Sequence, residues 1–284
     1  MQANDLTFGV EIECYAPMSA NLEAALQAAG VQVSRAVGSI HSVTPGWKVV
    51  HDGSLASRIN GFIGREVVSP ILKGEDGIAQ VLKVAAAIEA AGCKVDKSCG
   101  LHVHVGAQSA TPGQIKNLAK MFLKYEHHFD SLCPESRRNN RFAQSNLAYA
   151  AGYTAAQADY PTKIAAAFAK LDECRSVARI AGVVNGGYAQ QHYTHYRYFK
   201  LNLQSLATHG TVEFRQQAGT VNGQKMVSWI RLVVGMVATA FTLKSVTSQA
   251  EPTFAKMLRK VDRPTAAFLK QRRIALNRGA ALAE

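Results

Sequence analysis

The sequence predicts a mixed α+β domain. Some short segments alternate apolar and polar residues with a period of two. Others place apolar residues at helical spacing, and Gly and Pro punctuate both kinds. The 284 residues can bury a substantial core, and 48% hydrophobic with 18% charged residues is a globular composition, neither disordered nor low in complexity. No internal repeat or linker breaks the chain, so a single domain over residues 1–284 is expected.

The first strand is expected over Leu6–Tyr15, where Phe8, Val10, Ile12 and Cys14 take one face and Glu11 and Glu13 the other. Trp47–Val50 and Arg65–Ser69 read as strands joined by a loop, His51–Gly64, that opens with Asp52-Gly53-Ser54. Ile78, Val81, Leu82, Ala85 and Ile88 follow at helical spacing, with Gly92 as the stop. Cys99–Gly106 is the next strand. Thr111-Pro112-Gly113-Gln114 has the pattern of a capping box and opens a helix with Ile115, Leu118, Phe122 and Phe129 on one side. The region from Cys133 to His195 holds the segment RRNNRF, an Ala-rich helix beginning near Pro161, and a loop rich in Gly, Tyr and His. It reads as an excursion shaping a substrate pocket. Strands over Arg197–Leu203 and Thr208–Gln216, a long apolar helix over Gly223–Leu243, and basic helices starting near Pro252 and Pro264 complete the chain.

The net charge is +12, but Lys and Arg are scattered, densest at Lys270 to Arg273. Charge alone does not separate a nucleic-acid binder from an enzyme with a phosphate-rich substrate or a merely soluble basic protein, and the scatter favours the last two. Five cysteines without a CxxC argue against a disulfide framework and for a reducing cytoplasm. The start MQANDLTFG lacks the pattern of a signal peptide. Met226–Leu243 is interrupted by Ser228 and Arg231, so a buried helix is expected and no membrane span.

Four strands share one design. Glu11 and Glu13 share a face; His102 and His104 oppose Leu101, Val103 and Val105. Tyr198, Lys200 and Asn202 oppose Phe199, Leu201 and Leu203, and Thr211, Glu213 and Arg215 oppose Val212 and Phe214. In an antiparallel sheet one face packs on helices while the other can stay open. Taken singly, each pattern reads as solvated surface, Lys200 included; His104 alone reads as a core histidine, and Glu66 as a surface partner of Arg65 or Lys73. A generic solvated face favours Lys, Thr, Ser and Gln, so ExE, HxH and ExR on strands of one sheet point to chemistry. Glu11, Glu13, Glu66 and Glu213 would repel one another by about 4 kcal/mol per pair at about 4 Å and an effective dielectric of 20. Protonation or divalent cations relieve that repulsion. An oxygen-rich set with an imidazole suits Mg²⁺ or Mn²⁺, which clamp nucleotide phosphates. A zinc hydrolase using HxH and a Glu competes, although Cys99 has the wrong strand parity to join His102 and His104. Neither a Walker GxxxxGK[ST] nor a Rossmann GxGxxG occurs, so a bound nucleotide would rely on metals and the sheet face.

The ordered segments FGVEIE (8–13), WKVVHDGSL (47–55), EVVSPIL (66–72), CGLHVHV (99–105), YFKLNL (198–203) and HGTVEFR (209–215), with VNGQKMVSWIRLVVGMV (221–237) behind them, resemble the putative amidoligase family of the glutamine synthetase and glutamate–cysteine ligase superfamily. The resemblance covers roughly residues 5–245. It leaves 133–195 as a variable substrate-side excursion and 246–284 as a basic helical extension. It implies a curved antiparallel sheet whose concave face holds two or three Mg²⁺ or Mn²⁺ ions and ATP, with helices outside. The implied activity joins a small-molecule or peptide carboxylate to an amine through an acyl phosphate. Carried over by motif, Glu11, Glu13, Glu66, His102 and Glu213 are the implied metal ligands. His104 is the histidine nearer the phosphates, Arg215 stabilises the transferring phosphoryl group, and Lys200 and Asn202 face nucleotide or substrate. Asp52, Ser54, Arg138 and Arg141 are weaker candidates. Two alternatives compete: a non-catalytic nucleic-acid-binding protein on a ligase-like scaffold, and a metal-dependent phosphotransferase that stops at the phosphorylated acceptor.

Overall fold

The computed structural model describes residues 2–35, 42–55, 59–188, 195–249 and 251–277. Parts of the expected His51–Gly64 loop, of the Gly-, Tyr- and His-rich loop and of the basic C-terminal extension lie outside them. The fold is mixed α/β with an open antiparallel sheet and helices, and the chain divides into two compact units.

The first unit comprises Asn4–His104 and Gln217–Ile230. Its strands are β1 (Thr7–Pro17), β2 (Lys48–His51), β3 (Phe62–Val68), β4 (Leu72–Lys73) and most of β5 (Gly100–Gly106), in the hydrogen-bonded order β2-β3-β1-β5, with β4 pairing β1. Period two holds along β1 as far as Ile12, with Phe8, Val10 and Ile12 buried between part-exposed Gly9 and Glu11, and from Ile12 to Ala16 every residue is buried. Helix α1 (Leu22–Ala28) starts on Asn21, whose side chain accepts from the Ala24 amide. Helix α2 (Gly74–Ala90) buries Ile78, Val81, Val84, Ala85 and Ile88, and Gly92 at φ +78° follows its end. Leu82, expected on that face, is 43% exposed. It lies about 100° around the helix from Val81, at the edge of the stripe that Val81, Ala85 and Ile88 define. A Cβ on Gly77 would sit 3.0 Å from the Phe8 ring, so glycine there lets α2 approach β1.

The second unit comprises Met1–Ala3, Val105–Gln216 and Arg231–Glu284. Helix α3 (Pro112–Ser131) begins with the expected capping box: Thr111 Oγ1 accepts from the Gln114 amide at 3.3 Å and Gln114 Oε1 accepts from the Thr111 amide at 2.9 Å. The excursion is helical: α4 (Glu135–Arg138), α5 (Asn146–Ala151), α6 (Tyr160–Glu173) and α7 (Val177–Asn185). After β6 (Leu201–Asn202) and α8 (Ser205–His209) comes β7 (Thr211–Ala218), and the order at this end of the sheet is β5-β7-β6. Phe214 of β7 meets Phe122 and Phe129 of α3, with ring centroids 5.9 and 6.5 Å apart, so α3 covers the apolar face here. Helix α9 (Gly223–Thr242) begins in the first unit and ends in this one. It is long and apolar enough to cross a bilayer, yet most of it is buried within the protein. Two short helices follow, α10 (Phe254–Leu258) and α11 (Arg263–Leu276).

Two expected strands are corrected. Thr208 and His209 belong to α8, which Gly210 ends at φ +66°, so β7 starts only at Thr211. The strand expected over Arg197–Leu203 shrinks to Leu201–Asn202. Its earlier backbone pairs with Gln144 instead: the Gln144 amide donates to the Tyr198 carbonyl at 2.9 Å and the Lys200 amide to the Gln144 carbonyl at 3.0 Å. Along Leu201 and Leu203, buried Asn146 and Asn185 side chains supply the hydrogen bonds that a neighbouring strand would give. Asn146 accepts from the Leu201 amide at 2.8 Å, Asn185 accepts from the Leu203 amide at 3.1 Å, and both amides donate to the Leu201 carbonyl at 2.8 Å.

Candidate active site

In the first unit, β1, β3 and β5 bring Glu11, Glu13, Glu66, His102 and His104 together. Register places Glu13 opposite Glu66 and Glu11 opposite Val68. Directly opposed residues project to the same side of a sheet, so the three carboxylates share a face. The entry to β5 is set by an Asx turn in which Asp96 accepts from the Ser98 amide at 2.8 Å. Leu101, Val103 and Val105 then point into the core, which leaves His102 and His104 on the carboxylate side.

Glu11 holds both imidazoles, with His102 Nδ1 at 3.0 Å from Oε2 and His104 Nε2 at 3.3 Å from Oε1. His102 Nε2 lies 3.7 Å from Glu13 Oε1, and Glu13 Oε2 accepts from the Gly100 amide at 2.5 Å. Burial pushes the Glu11 carboxyl up, but the hydrogen bonds and charges of His102 and His104 outweigh burial and hold it well below the usual carboxylate range. Glu11, Glu66 and His102 each offer a donor atom, and these atoms lie within 4.8 Å of one another. Two carboxylates and an imidazole at that spacing can hold a divalent cation, and the oxygen majority suits Mg²⁺ or Mn²⁺. Cys99 precedes β5 and packs in an apolar cluster with Tyr15 and Leu55, outside the Glu11–Glu66–His102 set.

In the second unit, Asn202 and Glu213 are paired across β6 and β7. Glu213 is buried; its Oε2 accepts from Asn202 Nδ2 at 2.7 Å and its Oε1 pairs with Arg215 Nη1. Asn202 also accepts from the Gln204 amide at 2.8 Å, which fixes its orientation. Arg215 is therefore a guanidinium oriented by a buried carboxylate one pleat away.

Lys200 takes a different place. The chain bends at this residue, and its ammonium lies 3.1 Å from Glu126 and 2.7 Å from Asp130, one helical turn apart on α3. Burial would favour loss of its proton, but the two carboxylates raise its pKa above the ordinary value. Burial pushes the Asp130 carboxyl up to about 6 against the pull of Lys200. Gln216 Nε2 also donates to Asp130, and the Leu147 amide donates to Glu126 at 2.9 Å. Sequence reasoning missed this network. Glu126 and Asp130 are spaced i, i+4, the one signal that marks them as neighbours on α3.

The RRNNRF segment also lies in the second unit. Arg137 is buried and donates to the carbonyls of Arg215 at 2.6 Å and Gln216 at 3.2 Å. Arg138 donates to the Cys133 carbonyl at 2.9 Å and to Asn277 at 2.8 Å, and Arg141 is exposed over the Phe142 ring. In the first unit, Asp52 accepts from the Ser54 amide at 2.8 Å, forming the turn after β2. A comparison with curated proteins found no match. Residues 4–237 match the family described as "putative amidoligase enzyme". That match spans most of the sequence, and the chain belongs to this putative amidoligase family.

Proposed function

We propose that the protein is an ATP-dependent ligase that forms an amide or peptide bond between a small-molecule or peptide carboxylate and an amine, through an acyl phosphate. Family membership supports a ligase. The observation that carries the finer reading is the Glu11–Glu66–His102 set, whose donor atoms lie within 4.8 Å of one another. On this reading Glu11, Glu66 and His102 hold one divalent ion, with Glu13 beside them on the same face of the sheet. A bound Mg²⁺ or Mn²⁺ supplies neutralisation of phosphate charge.

The protein's own groups supply positioning and fixed charge. Glu11 fixes both imidazoles, and on this reading His104 would donate to a phosphate oxygen. Glu213 holds Arg215 rigid, so the guanidinium meets the charge of the transferring phosphoryl group without reorganising. Atoms balance in two steps. The acceptor carboxylate oxygen attacks the γ-phosphorus and ADP leaves; the amine nitrogen then attacks the acyl carbon, and phosphate leaves as the amine loses a proton.

The test is phosphate release from ATP and Mg²⁺ with a panel of carboxylic acids and amines, with hydroxylamine added to trap acyl phosphates as hydroxamates. Hydroxamate formation that needs ATP and a carboxylate, and is lost in Glu11→Gln, supports the proposal. Phosphate release that is indifferent to both carboxylate and amine overturns it. A phosphorylated acceptor that accumulates whether or not amine is present reassigns the protein as a phosphotransferase.

A further inference from the structure

The carboxylate face of β1 and β3 continues onto β2. Lys48 is paired with Val68, which is paired with Glu11; Val50 is paired with Glu66, which is paired with Glu13. Lys48 therefore projects from the same side of the sheet as the three carboxylates. It is 2% exposed, and its ammonium donates to the Ser42 carbonyl at 2.6 Å. Burial lowers its pKa, and the charges of Glu66 and Glu11 oppose that shift. The two carboxylates that act on Lys48 are the two that, with His102, form the metal-capable set. A buried ammonium is costly unless compensated, and clustered carboxylates are costly without a cation; each relieves the other.

We propose that Lys48 is the internal counter-cation of the Glu11–Glu66–His102 set: it neutralises the carboxylates before a divalent ion arrives, weakens the hold on that ion by its charge, and so sets the concentration at which the metal site fills. The inference rests on the metal-site reading given above. Strands lie about 4.8 Å apart, so Lys48 starts about 10 Å from Glu11, two strands away. At that separation, with an effective dielectric of about 20 and screening by salt, one positive charge weakens binding of a divalent ion by about tenfold.

The test is titration of the full chain with Mn²⁺, free Mn²⁺ being read by its electron paramagnetic resonance signal, without nucleotide or turnover. Lys48→Met is expected to bind Mn²⁺ about tenfold more tightly, and Lys48→Arg to stay near wild type. The gain in Lys48→Met should shrink as KCl is added. In EDTA, Lys48→Met should melt below wild type and regain more than wild type does when Mn²⁺ is added. Lys48→Gln removes the charge but keeps a donor for the Ser42 carbonyl, and it carries the same expectation should the methionine variant fail to fold. A folded charge-removing variant with wild-type or weaker Mn²⁺ affinity overturns the proposal. If Glu11→Gln abolishes Mn²⁺ binding in that case, only the role of Lys48 falls. If wild type and Glu11→Gln bind Mn²⁺ alike, the metal-site reading falls, and the role of Lys48 with it.

Discussion

Lys200→Met removes a charge from one of the most enclosed polar networks in the protein while keeping an apolar stem of similar length. Lys200 is 1% exposed, and it faces Glu126, 3% exposed, and the partly exposed Asp130. Removing one partner of a buried ion pair costs about 3–5 kcal/mol, because the remaining charge keeps its desolvation penalty. Here Glu126 retains the Leu147 amide and Asp130 retains Gln216, which places the loss at the low end, about 3 kcal/mol. The loss should depend on pH. The folded-state pKa of Asp130, about 6, lies above its ordinary 3.8. Its contribution to stability is therefore fully present below about pH 4 and is lost as pH rises through 6. Removing Lys200 takes away the charge that holds that value down, so protonation of Asp130 relieves the network at pH 5 and the deficit grows as pH rises to 8. Urea unfolding at both pH values, followed by far-UV circular dichroism, measures the two deficits. Glu126→Gln in the Lys200→Met background restores the charge balance and should recover most of the loss at pH 8. A Lys200→Met protein within about 0.5 kcal/mol of wild type at pH 8, the range of an ordinary surface substitution, would refute the burial argument. If that protein also lost turnover, Lys200 would return to the substrate-facing role expected from the sequence.

Gly219→Ala would place a Cβ 2.4 Å from the Cys99 Cβ where Gly219 donates to the Cys99 carbonyl at 2.8 Å; a loss of about 1–3 kcal/mol in urea unfolding is expected, and a wild-type midpoint would contradict it. Glu11→Gln keeps shape and hydrogen-bonding capacity but removes the charge shared by both imidazoles. Mn²⁺ binding should fall at least tenfold in calorimetric titration with the fold retained, and unchanged affinity would remove Glu11 from the ligand set. Arg215→Ala should lower kcat far more than it weakens ATP binding; a large loss of affinity with unchanged kcat would make Arg215 a ground-state contact.

The parts of the fold legible in the sequence are those where one local rule decides the outcome. Alternation places Phe8, Val10, Ile12 and Cys14 inside, on the face that β1 buries along its length; the other face is part-exposed at Thr7, Gly9 and Glu11 and is itself buried at Glu13 and Tyr15. Thr111 and Gln114 identify the start of α3 because each satisfies the other's backbone amide within a single turn. Long-range pairing decided what was misread. YFKLNL alternates as regularly as FGVEIE, yet the pairing with Gln144 bends its first half away and leaves a two-residue strand. Nothing within the segment signals Gln144, Asn146 or Asn185, which come from other parts of the chain.

The two lysines show the same limit at the site itself. Strand parity put Lys200 among the chemical groups and gave no prominence to Lys48, the second residue of WKVV. In the folded chain Lys200 lies against α3 with Glu126 and Asp130, while Lys48 projects with Glu11, Glu13 and Glu66. Parity says which residues of one strand share a side; it does not say which sides of two strands coincide, and register alone supplies that. For Lys200 parity also assumed an extended chain, and the bend cancelled the assumption. Electrostatics narrows the choice where parity cannot. A lysine buried against carboxylates marks where negative charge has gathered, and this sequence offers only 20 acidic residues against 32 basic ones. Lys200 and Lys48 do so, whereas buried Lys124 donates to the Thr247 carbonyl and buried Lys120 to the exposed Asp172. Glu126 with Asp130 and Glu11 with Glu66 are two such places, and of these only the second also brings imidazoles within reach.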